Sequence, residues 1–440
     1  MTRSGGNGIR SLVSPLGVAA RTAPVPTPRG LDRVHAYRTV IGSGRPGTSL
    51  PTGRKPITCL GSAIDSPDTA RLVAIAEGAE RYAAGDFLGE PVILATAQEL
   101  KDSALQPCRV ARLSEREYAH EACPLRPFSA NAIIRWVRGV ELTSRSEIWV
   151  PAVMACYRLQ DVRPEEKFWH RISTGFAVHT DLTEALVRGI FEVAERDSVA
   201  LLWQHQLELP EYSPAAYHHR EGSAATLEEV GYILDWCSRH WIETYLLDAT
   251  TDIGLPTVYC LQVAVHDDRA HHVVGCATTR DLLTAAKKAL LETMFCRRLI
   301  ASRGRCPESP LTYSSLIDGG RYMAARERSY VFGFLKHRRQ PKSVYPTANE
   351  LPTDPAAALN LLIGVFADSG MQVIAVDRTT RELADAGLAA VSVLIPDLQP
   401  MSVLPFAQFR GHRRLRTAPV KMGFTPLPEE KMNPWPQPFI

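Results

Sequence analysis

Apolar residues recur at three- to four-residue spacing in several long stretches of this chain, and in short alternating or continuous runs between them. The spacing predicts a first helix over about Asp68 to Ala84, with Ser66 or Asp68 as its cap and Gly85 as its terminator. "STGFAVHTDLTEALVRGIFEVAERDSVALLW" reads as a turn followed by a long helix capped by Thr180 or Asp181. "TLEEVGYILDWCSRHW" is amphipathic at the same period, and "DLLTAAKKALLETMFCRRLIAS" gives another long helix. Strand character falls on "VHAYRTVIG", "TVYCLQVAVHDD", "HHVVGCATT", "MQVIAVDRT" and "AAVSVLIPD". "NAIIRWVRGVELTSRSEIWVPAVMACYRL" reads as strands joined by a polar hairpin. The apolar run "LNLLIGVFADSGMQVIAV" is broken by Asp368, Ser369 and Gly370. It reads as a buried helix or strand, a turn and a second strand, not as a membrane span. Helices and strands mix without regular β-α-β units, so an α+β or mixed α/β single domain is expected.

Composition narrows the function classes. With 440 residues, 45% hydrophobic and 22% charged, the chain can bury a large core. A net charge of +3, with dispersed arginines, gives no case for nucleic acid. The nine cysteines are scattered singly with no C-x-x-C, which suits a reducing, cytoplasmic setting and disfavours a zinc site. Residues 1–30, rich in Gly, Pro, Ser and Arg, are expected to be a flexible segment, and Pro15 and Gly17 spoil any signal peptide there. Gly42, Gly44 and Gly47 spell G-x-G-x-x-G, but prolines follow instead of a helix, so a dinucleotide loop is not expected.

The chemistry lies on the helices. Residues three or four apart share a helix face, so Glu77, Glu80 and Arg81 cluster, as do Glu192, Glu195 and Arg196. Glu184 precedes Glu195 by eleven residues and returns close to the same angle, making a vertical acidic stripe. Lys288 and Glu292 repeat the idea at i, i+4. One such helix is usually a solvated face with a weak ion pair. Three of them, set among alanines and large apolar residues, argue instead for partly buried carboxylates that need cationic compensation. Magnesium with phosphate is the natural compensator, and no G-x-x-x-x-G-K-[ST] loop competes for that role.

At these residues the chain resembles the YcaO family of ATP-dependent enzymes that activate backbone amides. The family's S-x-x-E-x-x-E-R stands here as Ala74, Glu77, Glu80 and Arg81. Its second block is similar to Ser173, Thr174, Gly175, Glu184, Glu192, Glu195, Arg196 and Asp197. The third is similar to "AAKKALLETMFCR", where Lys288 replaces an arginine and Phe295 a glutamine, while Glu292 and Arg297 are kept. "GLAAVSVLIPDLQP" is similar to a later family segment. The resemblance implies a YcaO-type ATP-binding fold, with mixed sheets and long helices carrying the acidic motifs. Its domain would cover about residues 31–425, followed by a proline-rich tail at 426–440.

The resemblance further implies ATP and Mg2+ held by Ala74, Glu77, Glu80, Arg81, Glu184, Glu192, Glu195, Arg196, Lys288, Glu292 and Arg297. The metal ligands would be Glu77, Glu80, Glu192, Glu195 and Glu292. Arg297 is set apart because five steps from Glu292 turn it by about 140°. His170 and His179 flank the Ser-Thr-Gly turn and could meet substrate. Pro434, Pro436 and Pro438 form P-x-P-x-P. By itself that is a stiff solvated tail, but in azoline-forming members of the family it reaches the active site. The implied activity is ATP-dependent cyclodehydration of Cys, Ser or Thr in a ribosomally made precursor peptide. Thioamide or amidine formation, or a non-catalytic scaffold, are the alternatives. About sixty residues precede the first motif, so a separate leader-binding partner, ubiquitin-activating-like or a recognition-element protein, is expected. A flavin-dependent azoline dehydrogenase and a homodimer are further implied partners.

Overall fold

The structure, a computed structural model, describes residues 8–42, 57–86, 92–217, 222–302, 309, 313, 316–336, 346–402 and 404–439. Contacts divide the chain into two units where one domain was expected. Met1–Pro107, Ser129–Ile190 and Asp354–Ile395 form the first; Cys108–Phe128, Phe191–Thr353 and Pro396–Ile440 form the second. Each is assembled from three separated stretches, which is why no compositional break marks the boundary.

The first unit contains two sheets. Ala19–Pro24 (β1), Val34–Ile41 (β2) and Thr58–Ile64 (β3) pair antiparallel in that order. Along β2 Val34, Ala36, Thr39 and Ile41 are buried, and Arg38, exposed, interrupts the alternation. Helix α1, Pro67–Ala83, lies on β3 and β2. The Ser66 hydroxyl caps it by accepting from Thr69 N at 3.1 Å, and Pro67 opens its first turn. Gly61 permits the close approach, since a Cβ there would meet Ala74 N at 2.1 Å. At the other end Arg378 is buried and donates to Ala83 O (2.8 Å) and to Gly85 O, satisfying carbonyls that the helix leaves open.

The segment expected to be flexible at residues 1–30 is packed from residue 8 onward. Ile9, Leu12 and Val18 are buried in one cluster with Ile75 and Tyr82 of α1, and β1 is hydrogen-bonded to β2. Residues 1–7 lie outside the described residues. Gly42 has a role unrelated to nucleotides: a Cβ there would meet Gly17 O at 1.9 Å. Gly44 and Gly47 fall outside the described residues.

The second sheet of this unit uses Ile93–Ala95 (β4), Ile134–Glu141 (β5), Ser146–Pro151 (β6), Phe176–His179 (β7), Ile374–Asp377 (β11) and Ala389–Leu394 (β12). Its order is β4-β5-β11-β12-β7, with β6 also paired to β5. The expected hairpin is β5-β6, and its turn is tied by Glu141, which accepts from Thr143 N and Ser144 N. The apolar run near residue 360 resolves into helix α6, Pro355–Asp368, a turn through Gly370 at φ +67, and β11.

In the second unit Glu243–Asp248 (β8), Thr257–Val263 (β9) and His272–Thr278 (β10) form an antiparallel sheet in the order β10-β9-β8. Every residue of β9 and β10 is buried. Helix α4, Leu282–Ser302, packs on β10 and β9, and helix α3, Ala224–Arg239, packs on α4, where Glu229 meets Lys287 at 2.9 Å. Helix α2, Leu182–His205, begins in the first unit and continues into the second. Leu316–Ala324 (α5) and Arg414–Lys421 (α7) complete the long elements.

Asp197, the last residue of the second motif, belongs to the core. Its carboxylate receives Arg414 Nε (3.0 Å) and Nη2 (2.7 Å) and Gln399 N (2.7 Å), while Arg414 also meets Asp252 at 2.6 Å. All three charged groups are buried. Removing one member of such a cluster strands the others, so Arg414→Met is expected to cost about 3–5 kcal/mol. Denaturant unfolding checks this, and a loss below about 1 kcal/mol, the range of a surface pair, would contradict it. Among the described residues no helix is long and apolar enough to cross a membrane.

Candidate functional site

The first unit brings Glu77, Glu80 and Arg81 together at the C-terminal end of α1. Arg81 Nη2 lies 3.6 Å from Glu77 Oε1, and Arg81 Nη1 pairs with Glu80. All three side chains are partly exposed. Beneath them Cys59 of β3 is buried, and its thiol is pushed up to about 12 by that burial and then by the charge of Glu77. Ala74 does not join them: it is fully buried at the crossing with Gly61, so this position packs the helix against the sheet. Glu184 sits in the first turn of α2, where Asp181 Oδ1 caps Thr183 N (2.7 Å) and Glu184 N (3.2 Å). Its carboxylate is buried and accepts from Arg188 Nε at 2.9 Å. Arg188 is a contact that the i, i+4 spacing could have disclosed.

The second unit joins two motifs and the tail. Glu195 Oε2 accepts from the Thr278 amide at 3.1 Å, anchoring α2 to the end of β10. Glu292, on α4, accepts from the backbone of Cys276 on the same strand. Arg196 lies among the acids, with Nη1 3.1 Å from Glu195 Oε1 and Nη2 3.5 Å from Glu192 Oε1. The Phe439 ring covers the Arg196 guanidinium at 4.6 Å, a cation–π contact. Burial followed by the charge of Glu195 pushes Glu292 up to about 8. Glu195 is raised too, by burial, against the pull of Arg196 and Lys288. Burial lowers Arg196, but Glu195, Glu192 and Glu292 outweigh it and the guanidinium rises above its ordinary value. Lys288 is exposed, yet its charge still acts on both raised carboxylates, so lysine preserves the electrostatic part of an arginine there.

Arg297 is not part of this group. Its guanidinium donates to Gln262 Oε1 (3.2 Å), Gln262 O (3.0 Å) and Ala270 O, tying α4 to β9 and the loop beyond it. It is a half-buried strut between α4 and β9. His170 is pushed down to about 4 by burial. His179 Nδ1 accepts from Asp181 N at 3.1 Å.

The tail is not a solvated appendage. Pro434 is exposed, but Pro436, Gln437, Pro438 and Phe439 are buried in the second unit. Trp203 Nε1 donates to Trp435 O at 2.9 Å, Asn433 N donates to Gln204 O at 2.9 Å, and the Trp435 ring rests near Tyr322 and Tyr330. Proline offers no acid, base or N–H donor, so the three prolines can act only by fixing the course of the chain. Ile440 lies outside the described residues. Phe439 was not foreseen as a site residue, and its contact with Arg196 spans most of the chain.

Carboxylates crowded beyond what Arg196 can neutralise are the donors a hard divalent cation takes. Among the described residues, however, no three His, Cys, Asp or Glu side chains converge as a closed metal cage.

The family model described as "YcaO cyclodehydratase, ATP- and Mg2+-binding" matches residues 63–399, and the chain belongs to this family. Its fold is similar to that of a heterocyclase in complex with substrate and cofactor. The TM-score is 0.76 at 23% identity, over 99% of this chain and 57% of that one. It is also similar to the YcaO protein of Methanopyrus kandleri bound with AMPPCP and Mg2+, with a TM-score of 0.59 at 17% identity, over 90% and 91% of the two chains. In sequence it is 29% identical over 195 residues to an uncharacterized protein in the tfuA 3′ region of Rhizobium leguminosarum bv. trifolii. That match covers 42% of this chain and 43% of the relative. The chain thus spans about half the length of the heterocyclase and less than half that of the curated relative.

Proposed function

We propose that this chain is an ATP-dependent cyclodehydratase that converts Cys, Ser or Thr of a ribosomally made precursor peptide to thiazoline or oxazoline. The observation that carries the reading is the contact of Phe439, directly after the P-x-P-x-P prolines, with Arg196 of the second acidic motif. In this reading the substrate's side-chain sulfur or oxygen adds to the preceding carbonyl carbon. The resulting oxygen takes the γ-phosphoryl group of ATP and releases ADP. Phosphate then leaves with the C–O bonding pair, the amide nitrogen loses its proton, and a C=N bond forms within the ring that the addition has already closed. Expelling an amide oxygen is the difficult step, and phosphorylation makes it a good leaving group.

The protein's task is positioning and charge stabilisation. Carboxylates from the set Glu192, Glu195 and Glu292 would hold magnesium, which neutralises phosphate charge when bound. Arg196, held between Glu192 and Glu195, would turn to the phosphates, and Lys288 would add field strength from outside. For Glu77, Glu80, Arg81 and Glu184 the same kind of role is proposed from the resemblance of their motifs alone. A separate leader-binding protein, a flavin-dependent azoline dehydrogenase and a second copy of the chain are the proposed partners, in the cytoplasm.

Magnesium-dependent binding of a fluorescent ATP analogue tests the reading. The parent protein should bind, and Glu192→Gln should weaken binding on the order of tenfold, the loss of one charge-assisted contact. No binding by the parent would overturn the enzyme reading in favour of a scaffold. With a leader-binding partner and precursor added, the product should be lighter by one water. Replacement of an amide oxygen by sulfur would assign the chain to thioamide chemistry instead.

A further inference from the structure

Gln437 occupies the second variable position of the P-x-P-x-P tail. Its residue is 2% exposed, and among the described residues neither Nε2 nor Oε1 has a hydrogen-bond partner. The backbone around it is closely packed: a Cβ at Gly319 of α5 would meet Gln437 O at 2.9 Å and Pro436 Cβ at 3.6 Å. With prolines on both sides, the backbone that carries the carboxamide is stiff. Two residues on, Phe439 covers Arg196, and two residues of chain span at most ~7 Å. A buried carboxamide left wholly unmatched is unfavourable, and packing alone would be served as well by an apolar side chain. A ligand group that both accepts and donates would match it.

Resting on the reading of the site as a cyclodehydratase, we propose that the Gln437 carboxamide recognises a backbone amide of the peptide substrate beside the ring being formed. A carboxamide and a peptide group are mutually complementary: Nε2–H donates to the peptide carbonyl while Oε1 accepts from the peptide N–H. At the other end of that short span Glu192 and Arg196 keep 20% and 16% of their side-chain surface. An adenine edge presents the same donor and acceptor pair. Adenine, however, lies at the far end of the nucleotide from its phosphates, whereas the tail meets Arg196, the cation assigned to phosphate. That position favours the substrate amide.

The test uses the full chain with magnesium and a non-hydrolysable ATP analogue. The probe is acetyl-glycyl-cysteinyl-glycine N-methylamide, and its binding is followed by ligand-observed NMR. A second probe replaces the amide on the C-terminal side of its cysteine, the one beside the ring to be formed, by an ester, which lacks the N–H donor. The parent protein should prefer the amide on the order of tenfold. Gln437→Met, which keeps length and volume, should bind the amide correspondingly less well and no longer tell amide from ester. Its melting temperature should be equal or higher, since the unmatched polar atoms are gone, and fluorescent ATP-analogue affinity should be unchanged. A parent that binds neither probe, or a folded variant that still discriminates between them, overturns the assignment. A variant that loses ATP-analogue affinity instead shows Gln437 to be an adenine contact and overturns it as well. Failure of the parent protein to bind the ATP analogue is a separate result and counts against the cyclodehydratase reading itself.

Discussion

Replacing Glu292 by glutamine is expected to raise the melting temperature at pH 8.5 and at the same time to abolish most magnesium–ATP turnover. Both effects come from one carboxyl group. Burial, and then the neighbouring charge of Glu195, move Glu292 from 4.5 to about 8. Between those values the native state keeps a proton that the unfolded chain has released, so stability falls as pH rises. The stabilisation by the protonated form is complete below about pH 4.5 and gone once pH has passed about 8. Glutamine resembles the protonated carboxyl and does not titrate. The stability difference between variant and parent should therefore open above pH 4.5, reaching at most a few kcal/mol on the alkaline side. Scanning fluorimetry from pH 5 to pH 9 reads that difference. Adding magnesium and ATP should reverse it, because the cation supplies the missing charge to the parent and not to the variant. Turnover should fall by roughly 10^2–10^3, as when one preorganised electrostatic group is removed from an active site. A variant that is less stable than the parent at pH 8.5 would mean that Glu292 is already fully paired and has no charge to offer a metal.

What was legible in the sequence is what is local in the chain. The acid–base pairs of α1 and α2 are i, i+1 or i, i+4 neighbours, so helical periodicity alone brings Glu77 and Glu80 to Arg81, and Glu192 and Glu195 to Arg196. The caps at Ser66 and Asp181 were equally local. Distant pairings were not legible. Asp197 appeared to continue an acidic motif, yet it answers to Arg414, 217 residues further on. Arg378 caps α1 from 295 residues away. Residues 8–24 looked loose by composition because small residues and prolines lower mean hydropathy, but a few well-spaced apolar side chains, Ile9, Leu12 and Val18, suffice to pin them. Ala74 is a related case: a motif position suggested ligand contact, whereas the need for a small residue at the Gly61 crossing explains it by packing.

Removal of Pro434–Ile440 is expected to eliminate azoline formation, but the structure changes how that result must be read. Phe439 is 1% exposed and Pro436, Gln437 and Pro438 are buried with it. Deleting one buried aromatic side chain alone costs about 3–5 kcal/mol, which for a unit of this size lowers the melting temperature by on the order of 10 °C. Loss of activity at room temperature would therefore not distinguish a catalytic tail from a structural one. The informative comparison is made cold, with the truncated chain shown to be folded by circular dichroism. If the tail's main role is to place groups at the reacting amide, binding of the fluorescent ATP analogue should return to within a few-fold of the parent while cyclodehydration stays at least about 10^2-fold down. If the tail only fills space, both should recover together. Phe439→Leu supplies the finer cut. It keeps apolar bulk but removes the ring face from Arg196, a contact worth about 1–2 kcal/mol when partly desolvated. Arg196 would then be free to swing toward Glu192. The expected signature is a fall in ATP-analogue affinity of about tenfold with only a small change in melting temperature, the opposite of the pattern expected for Gln437→Met. Two nearby tail positions would thus separate by ligand, Phe439 acting through the cation that meets phosphate and Gln437 through a substrate amide beside the ring.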